Sequence, residues 1–383
     1  MPELRDDSEL LSAKVTLMRG GTSKGVFFNE ADLPLDRFQR EAFILSALGS
    51  PDPRQIDGIG GADILTSKVC VIGPGRAFDA DVTYEFIQVG IDKPTLGYGA
   101  NCGNLSSAVG AYAIEAGYVQ ASDPETTVRI YNTNTRQILT AIVPTLNGRP
   151  RVRGSFAISG VPGYGAEVRM DYSRTIGAST GALLPTGNLR DNLYVPELGE
   201  HVEMSIVDIG KAACFFRAEV VGIKGTEGPA GLSQEQMNRF LAIRKVAAVA
   251  SGLPEDSSFP SAVAVIPATD YQTELTKAPI RAEDVSFVAR QVAGPPPSLH
   301  KAYASTTAIC TAAAAVLPGT VLAELSSPIH GDVVKIGHPS GVFPVRISIA
   351  ADGTVREASY SRTARKLLEG QVFVHRHSRE QPL

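Results

Sequence analysis

Several apolar runs of the chain are short and rich in β-branched and aromatic residues. They are Val15–Met18 and Val26–Phe28 on either side of a Gly20-Gly21 pair, then Val69–Ile72, Val128–Tyr131 and Ile138–Val143. Runs of this length and composition predict strands, and the glycine pair predicts the turn between the first two. One stretch reads differently. Gly99–Gly117 opens on small polar residues suited to a helix N-cap, continues rich in Ala and stops on glycine. That pattern predicts a helix buried on most of its sides.

The same segments then return in the same order. Val15–Phe28 has its counterpart in Met204–Phe216. Ser67–Ile72 aligns without gaps on Ser261–Ile266, and Gly99–Gly117 on Lys301–Gly319. Val128–Thr135 matches Val334–Gly341, and each is followed by a further β-rich run, Ile138–Val143 and Val345–Ala350. Four matches in one order predict a duplicated unit with pseudo-two-fold symmetry. The expected fold class is α+β: two related domains, each a mixed β-sheet around a central helix, with a small-molecule cleft between them. The boundary is expected within Ala182–Asn192, giving residues 1–187 as the first repeat and 188–370 as the second. The last strand, within 371–383, is a candidate to return to the first half.

Composition narrows the function classes. A chain of 383 residues is of ordinary size for two domains. Its formal charge of -4, its lack of Trp and its 7% aromatic content offer neither a basic footprint nor stacking platforms for nucleic acid. The N-terminal Met1–Asp7 is polar and acidic, without a signal-peptide core. The most apolar helical run, Thr306–Leu322, is shorter than the roughly 20 residues a membrane span requires. Cysteines 70, 102, 214 and 310 are scattered without CxxC spacing, which argues against a zinc site and a disulfide framework. The expectation is a cytoplasmic protein with no nucleic-acid partner and no membrane partner. A homodimer is its candidate assembly.

The duplication also supplies a comparison inside one sequence. Positions that only hold the fold should stay alike in both copies, whereas chemistry can survive in one. Lys68 aligns with Ala262, and Cys102 with Ala304. A lysine on a buried strand is rare unless it is paired or functional, and a desolvated amine can serve as a base. Cys102 lies at the expected helix start, where free N–H groups and the helix dipole favour an anion and a usable thiol. The bland readings are a solvated lysine at a strand end and a small buried cysteine. The latter suits Cys310, in mid-helix among alanines, and Cys70 and Cys214, in apolar strands.

Donor-rich turns surround this pair in sequence. Thr22, Ser23 and Lys24 follow the glycine pair in a loop that lacks the GxxxxGK[ST] spacing of a phosphate cradle. Asn101, Gly103 and Asn104 flank Cys102. Asn134 in one half, and His338, Ser340 and Gly341 in the other, occupy matching loops, and Lys301 opens the second central helix. All are candidate substrate-binding residues; their plainer readings are hairpin turns and polar loops. Asp52, Asp57 and Asp63 have no histidine cluster beside them, so no metal is expected. No dinucleotide fingerprint is present, so no cofactor is expected.

The motifs MRGGTSKG, DPRQIDGIGGAD, LTSKV, ANCGN, IYNTNT, LHKAYA and GHPSG together resemble the PrpF family, within the diaminopimelate-epimerase-like superfamily. The resemblance covers nearly the whole chain. It implies two mixed domains with central helices and no cofactor. It also implies isomerisation of aconitate-, methylaconitate-, methylitaconate- or oxalomesaconate-like acids by 1,3-allylic proton shift or cis–trans change. The Lys of LTSKV and the Cys of NCGN, here Lys68 and Cys102, are the acid–base candidates it implies. Amino-acid epimerases of the superfamily use two cysteines, one from each half; here Ala304 stands in place of the second.

Moving a proton along an allylic system passes through a dienolate-like anion. It needs a base, an acid and fixed donors for the developing charge. Two other readings stand beside this one. An amino-acid racemase or epimerase would need a second thiol facing Cys102. A non-enzymatic accessory protein of a dehydratase would be favoured by large exposed apolar patches. The particular polycarboxylate, and which of Lys68 and Cys102 is the base, are left open by the sequence.

Overall fold

The computed structural model describes residues 9–99, 101–228, 231–293, 297–350 and 353–375. The expectations for Met1–Asp7 and for the part of the last strand beyond 375 lie outside the described residues. The chain divides into two compact units. The first comprises Met1–Ala157, Gly163–Met170 and Arg362–Leu383; the second comprises Ile158–Pro162 and Asp171–Ser361.

The first unit contains strands β1 (Leu10–Gly20), β2 (Ser23–Asn29), β3 (Lys68–Pro74), β4 (Val82–Val89), β5 (Glu125–Asn132) and β6 (Gln137–Leu146). Its helices are α1 (Arg37–Leu48) and α2 (Gly103–Glu115). Successive strands pair antiparallel, parallel, antiparallel, parallel and antiparallel. The C-terminal strand Ala364–His375 pairs antiparallel along β1, so residues 371–375 lie in this unit.

The second unit repeats the scheme with β7 (Glu200–Ile209), β8 (Lys211–Arg217), β9 (Ser261–Pro267), β10 (Phe287–Ala293), β11 (Val333–His338) and β12 (Gly341–Ile349). Its helices are α3 (Gln234–Ala250) and α4 (Ser305–Val316), and its pairings follow the same order. The fold is α+β, built from two units of one topology, each with a mixed sheet against a central helix, α2 or α4.

Each unit also has a second helix that the apolar runs do not announce. In α1 only one face is buried, through Ala42, Phe43, Ile44, Leu45, Ala47 and Leu48. Its signal lies in its ends: the Asp36 side chain accepts from the Gln39 N–H at 3.0 Å, and Gly49 closes the helix at φ 70°. Helix α3 starts with a Ser233/Gln236 capping box. The apolar run Thr306–Leu322 is interrupted: α4 ends at Val316, and Thr320 caps a separate short helix, Val321–Leu325. Among the described residues no helix is long and apolar enough to cross a membrane.

The pleat of β3 sorts its side chains between the two helices of the first unit. Val69 and Val71 join Val26, Phe28, Ile87 and Val89 in a core closed by Phe43, Ile44 and Leu48 of α1. Cys70 and its neighbour Phe27 point to the opposite face, where the Phe27 and Tyr112 rings, the latter on α2, lie 5.4 Å apart. Every residue of α2 from Gly103 to Ile114 is buried.

The glycines of the β1–β2 hairpin make room for the first turn of that helix. A Cβ on Gly20 would sit 2.5 Å from the Asn104 carbonyl oxygen, and one on Gly25 would sit 2.6 Å from Leu105 Cδ1. Gly21, at φ 52°, has the Asn104 side chain where its own Cβ would be. Gly20→Ala is therefore expected to destabilise the protein by about 1–3 kcal/mol through overpacking against backbone. Urea unfolding measures this. An unchanged midpoint would show that α2 is not seated on this hairpin.

Candidate active site

Lys68 is the first residue of β3. It shares the face of Cys70, two residues on, and so faces α2. It is 7% exposed. Its Nζ donates to Gln88 Oε1 at 2.6 Å and lies 5.0 Å from the centre of the Phe86 ring. Gln88 is its direct cross-strand neighbour. The Gln88 amide can face only one way, because its Nε2 meets two carbonyls that can only accept, Ser67 at 2.9 Å and Ile64 at 3.3 Å. The amide oxygen is thereby turned to Lys68.

Cys102 is the N-cap of α2, in extended backbone at φ -102° and ψ 96°, and its side chain makes no capping hydrogen bond. The thiol is free and half-buried. Its carbonyl accepts from the Ser106 N–H at 2.8 Å, from the Ser106 hydroxyl at 3.0 Å and from the Tyr84 hydroxyl at 3.4 Å. Asn101 Oδ1 accepts from the same Ser106 hydroxyl at 2.9 Å. Gly103 and Asn104 supply the first N–H groups of the helix, where a negative charge is stabilised. Ala304 is the N-cap of α4, the same place in the second unit, with its N–H held by Gln291 Oε1 at 3.1 Å.

The loop residues gather around the same helix start. The Asn104 amide donates to Thr22 Oγ1 at 3.0 Å and accepts from the Thr22 N–H at 3.4 Å. Ser23 is buried on the α2 face of β2, and its hydroxyl has no hydrogen-bond partner among the described residues. The Lys24 N–H donates to the Leu65 carbonyl at 3.0 Å. A buried cation that the sequence reading did not single out completes the group: Arg362 Nε donates to Asn104 Oδ1 at 3.2 Å across a separation of 258 residues. Nothing local in its sequence marks it, because the strand-end residue meets α2 only through the fold.

Asn134 is placed as a clasp on strand β4. It donates to the carbonyls of Phe86 at 2.9 Å and Tyr98 at 2.7 Å, and accepts from the Phe86 N–H at 2.8 Å. Both amide protons are engaged, so the side chain as placed offers no N–H to a ligand.

The four candidates of the second unit also gather. The Ser340 hydroxyl donates to the Lys301 carbonyl at 2.6 Å, and the Ser340 N–H to His338 Nδ1 at 3.2 Å. Gly341 has φ 138°, with the Ser159 side chain in the space a Cβ would need, and its carbonyl accepts from the Tyr271 hydroxyl at 2.6 Å. Among the described residues no three His, Cys, Asp or Glu side chains lie together as a metal site.

The four thiols differ sharply in setting. Burial pushes the Cys70 thiol well up, and the neighbouring Cys102 adds to this, while a hydrogen bond from Tyr84 and the charge of Lys68 act against it. Cys70 thus lies within the field of both Lys68 and Cys102. Burial pushes Cys214 up to about 12 and raises Cys310 as well. Only the thiolate reacts. Cys102 alone of the four is not fully buried, so one thiol per native chain should react quickly with a disulfide reagent, and all four after unfolding. Cys102→Ala should abolish the fast phase. A second fast thiol in the native protein would contradict this arrangement.

The chain matches the family described as PrpF protein over residues 11–375. It is similar to the 3-methylitaconate isomerase of Eubacterium barkeri, with 41% identity over 96% of this chain and 99% of that one. It is similar to the (4E)-oxalomesaconate Delta-isomerase of Novosphingobium sp. (strain KA1), with 37% identity over 97% and 99% of the two chains. The crystal structure of a methylitaconate-delta-isomerase superposes with a TM-score of 0.82 at 41% identity, covering 95% of this chain and 96% of the other. A hydroxyproline epimerase from Agrobacterium vitis shares the fold alone, with a TM-score of 0.55 at 12% identity over 94% and 92% of the chains. With nearly the whole chain matched and full-length relatives more than a third identical, the chain belongs to the PrpF family.

Proposed function

We propose that the protein is a cofactor-independent isomerase of a small unsaturated di- or tricarboxylic acid, acting by 1,3-allylic proton shift or cis–trans change. Lys68 and Cys102 are its acid–base pair. One observation carries this reading. A buried amine lies on the α2 face of β3, and a half-buried thiol caps α2, whose Cys102 carbonyl accepts from Tyr84 on that same face. The second unit has Ala304 at the matching helix start. Its strand β9 begins on Ser261 where β3 begins on Lys68, and Ala262, which the gap-free alignment set against Lys68, packs toward α3 as Val69 packs toward α1. The activities named for the relatives, on methylitaconate and oxalomesaconate, support the substrate class.

In this reading one of the pair removes a proton from a carbon beside a double bond or carboxylate. The other delivers a proton to the far end of the allylic system. The dienolate charge that develops between the two steps is met by the N–H groups of Gly103 and Asn104 at the head of α2. Fixed donors of this kind are worth roughly 3–4 kcal/mol each. The unpartnered Ser23 hydroxyl, Thr22, Lys24 and Arg362 are suited to hold a substrate carboxylate, with Asn101 and Asn104 setting the helix start. Lys301, His338, Ser340 and Gly341 are assigned to substrate holding in the second unit. Four free thiols suit a reducing compartment, the cytoplasm.

An amino-acid epimerase reading has less support, because Ala304 offers no second thiol and the likeness to the hydroxyproline epimerase is one of fold. An accessory protein without activity is disfavoured by relatives named as isomerases over their full length.

Lys68→Ala and Cys102→Ala should each lower kcat by at least about 100-fold, the usual scale for a general acid or base, with an unchanged melting curve. Wild-type rates in either variant would remove that residue from the mechanism. Proton NMR in deuterated water tests the reaction itself. Deuterium should enter cis- or trans-aconitate or a methylated or oxo analogue at enzymatic rates, before and after dialysis against a chelator, and should not enter amino acids. Amino-acid epimerisation, or activity lost to the chelator and restored by one metal, would overturn the assignment.

A further inference from the structure

A lysine that transfers protons has a difficulty built into its side chain. Its four-carbon stem is flexible, whereas proton transfer needs the nitrogen held to a fraction of an ångström. The surroundings of Lys68 show what holds it. Nζ lies over the Phe86 ring and donates to Gln88 Oε1 at 2.6 Å. Gln88 is itself locked, its two N–H bonds spent on the Ser67 and Ile64 carbonyls.

The next layer fixes Ser67. Its hydroxyl donates to Gln55 Oε1 at 2.7 Å, and the same oxygen accepts from the Ala62 N–H at 2.7 Å. Gln55 is 2% exposed and stands at φ 45°. The DPRQIDGIGGAD segment thus folds its glutamine inward behind Ser67. On the other side, Asn134 clasps the Phe86 N–H and carbonyl, which fixes the ring beneath Lys68. The groups holding Lys68 are neutral. An amide oxygen orients an amine without pairing it to an opposite charge.

We infer that Gln88 is a positioning residue of the reaction: its amide oxygen, aimed by the Ser67 and Ile64 carbonyls, holds Lys68 Nζ over the Phe86 ring. This rests on the reading of Lys68 as half of the acid–base pair. The plain alternative is that Gln88 only braces the 64–67 loop through its N–H groups.

Two substitutions separate these roles. Gln88→Met removes the acceptor and both donors at similar volume. Gln88→Glu removes both donors but keeps an oxygen facing Lys68. Protein labelled with 13C at the lysine ε-carbon reports position directly, because the Phe86 ring current shifts the Lys68 ε-methylene protons upfield. The resonance is identified by its absence in Lys68→Met. Gln88→Met should lose the upfield shift and about tenfold or more in kcat, with KM within about twofold. Gln88→Glu should keep the shift, because its carboxylate still faces the amine, and its kcat should exceed that of Gln88→Met.

Equal losses in both variants would assign Gln88 to the loop and overturn the inference, as would an unchanged shift in Gln88→Met. Should Gln88→Met fail to fold, Gln88→Glu alone decides: a retained shift supports the inference, and a lost shift overturns it. The NMR signal reads position whether or not Lys68 transfers a proton. Full activity in Lys68→Met would instead sink the functional reading, and so the two failures are distinct.

Discussion

The structure depends on the two-residue repeat of a strand that is buried on both faces. Along β3, Val69 and Val71 enter the core under α1, while Lys68 and Cys70 turn to α2. A slip of one residue would send the amine into an aliphatic core and bring two valines to the helix start. The apolar run after Lys68 therefore does more than fill volume. It fixes the register that gives a charged side chain the one face on which polar partners exist.

Around that strand the supporting chemistry is carried by amides. Gln55, Gln88, Asn104 and Asn134 each make two or more hydrogen bonds to backbone or to hydroxyl groups. An amide both donates and accepts, so it can be locked by backbone at one end and still present a defined atom at the other. Among the described residues no ion pair includes Lys68, and the exposed salt bridges lie on surface residues such as Arg129 with Asp79. Exposed pairs of that kind contribute little to stability. Order at the site instead comes from hydrogen bonds that would be costly to leave unmade in a dry interior.

The duplicated topology was legible because both copies keep the same short apolar runs and the same alanine-rich central helix. Cys102 was legible for the converse reason: at the aligned helix start the other copy has Ala304. The matching alignment of Lys68 with Ala262 was one residue out of register, because Ala262 packs toward α3 as Val69 does toward α1 and Ser261 holds the place of Lys68. What sequence alone did not reveal follows from the same physics. Helices α1 and α3 bury one face only, so their apolar content is diluted and their signal resides in caps. Gln88 lies in an alternating strand, where a polar residue reads as solvent-facing, and only the pairing with β3 shows that it faces Lys68. Arg362 meets Asn104 through the return of the C-terminal segment. Asn134 was legible as a polar loop residue, but its use as a clasp on β4 was not, since its partners are backbone atoms of another strand.

The hairpin glycines bear on how this scaffold can change over time. At Gly20 and Gly25 the helix start approaches the strands with no side chain between them, leaving no soft layer to absorb added volume. Drift is closed at these positions, and compensation elsewhere is difficult because the opposing atoms are main chain or a buried leucine. The Cys102 position is thus carried on a part of the molecule with almost no neutral neighbours in sequence space. A lineage that came to accept a differently shaped acid would have had to vary the loops that present donors, since the ground on which the thiol stands cannot be moved in small steps.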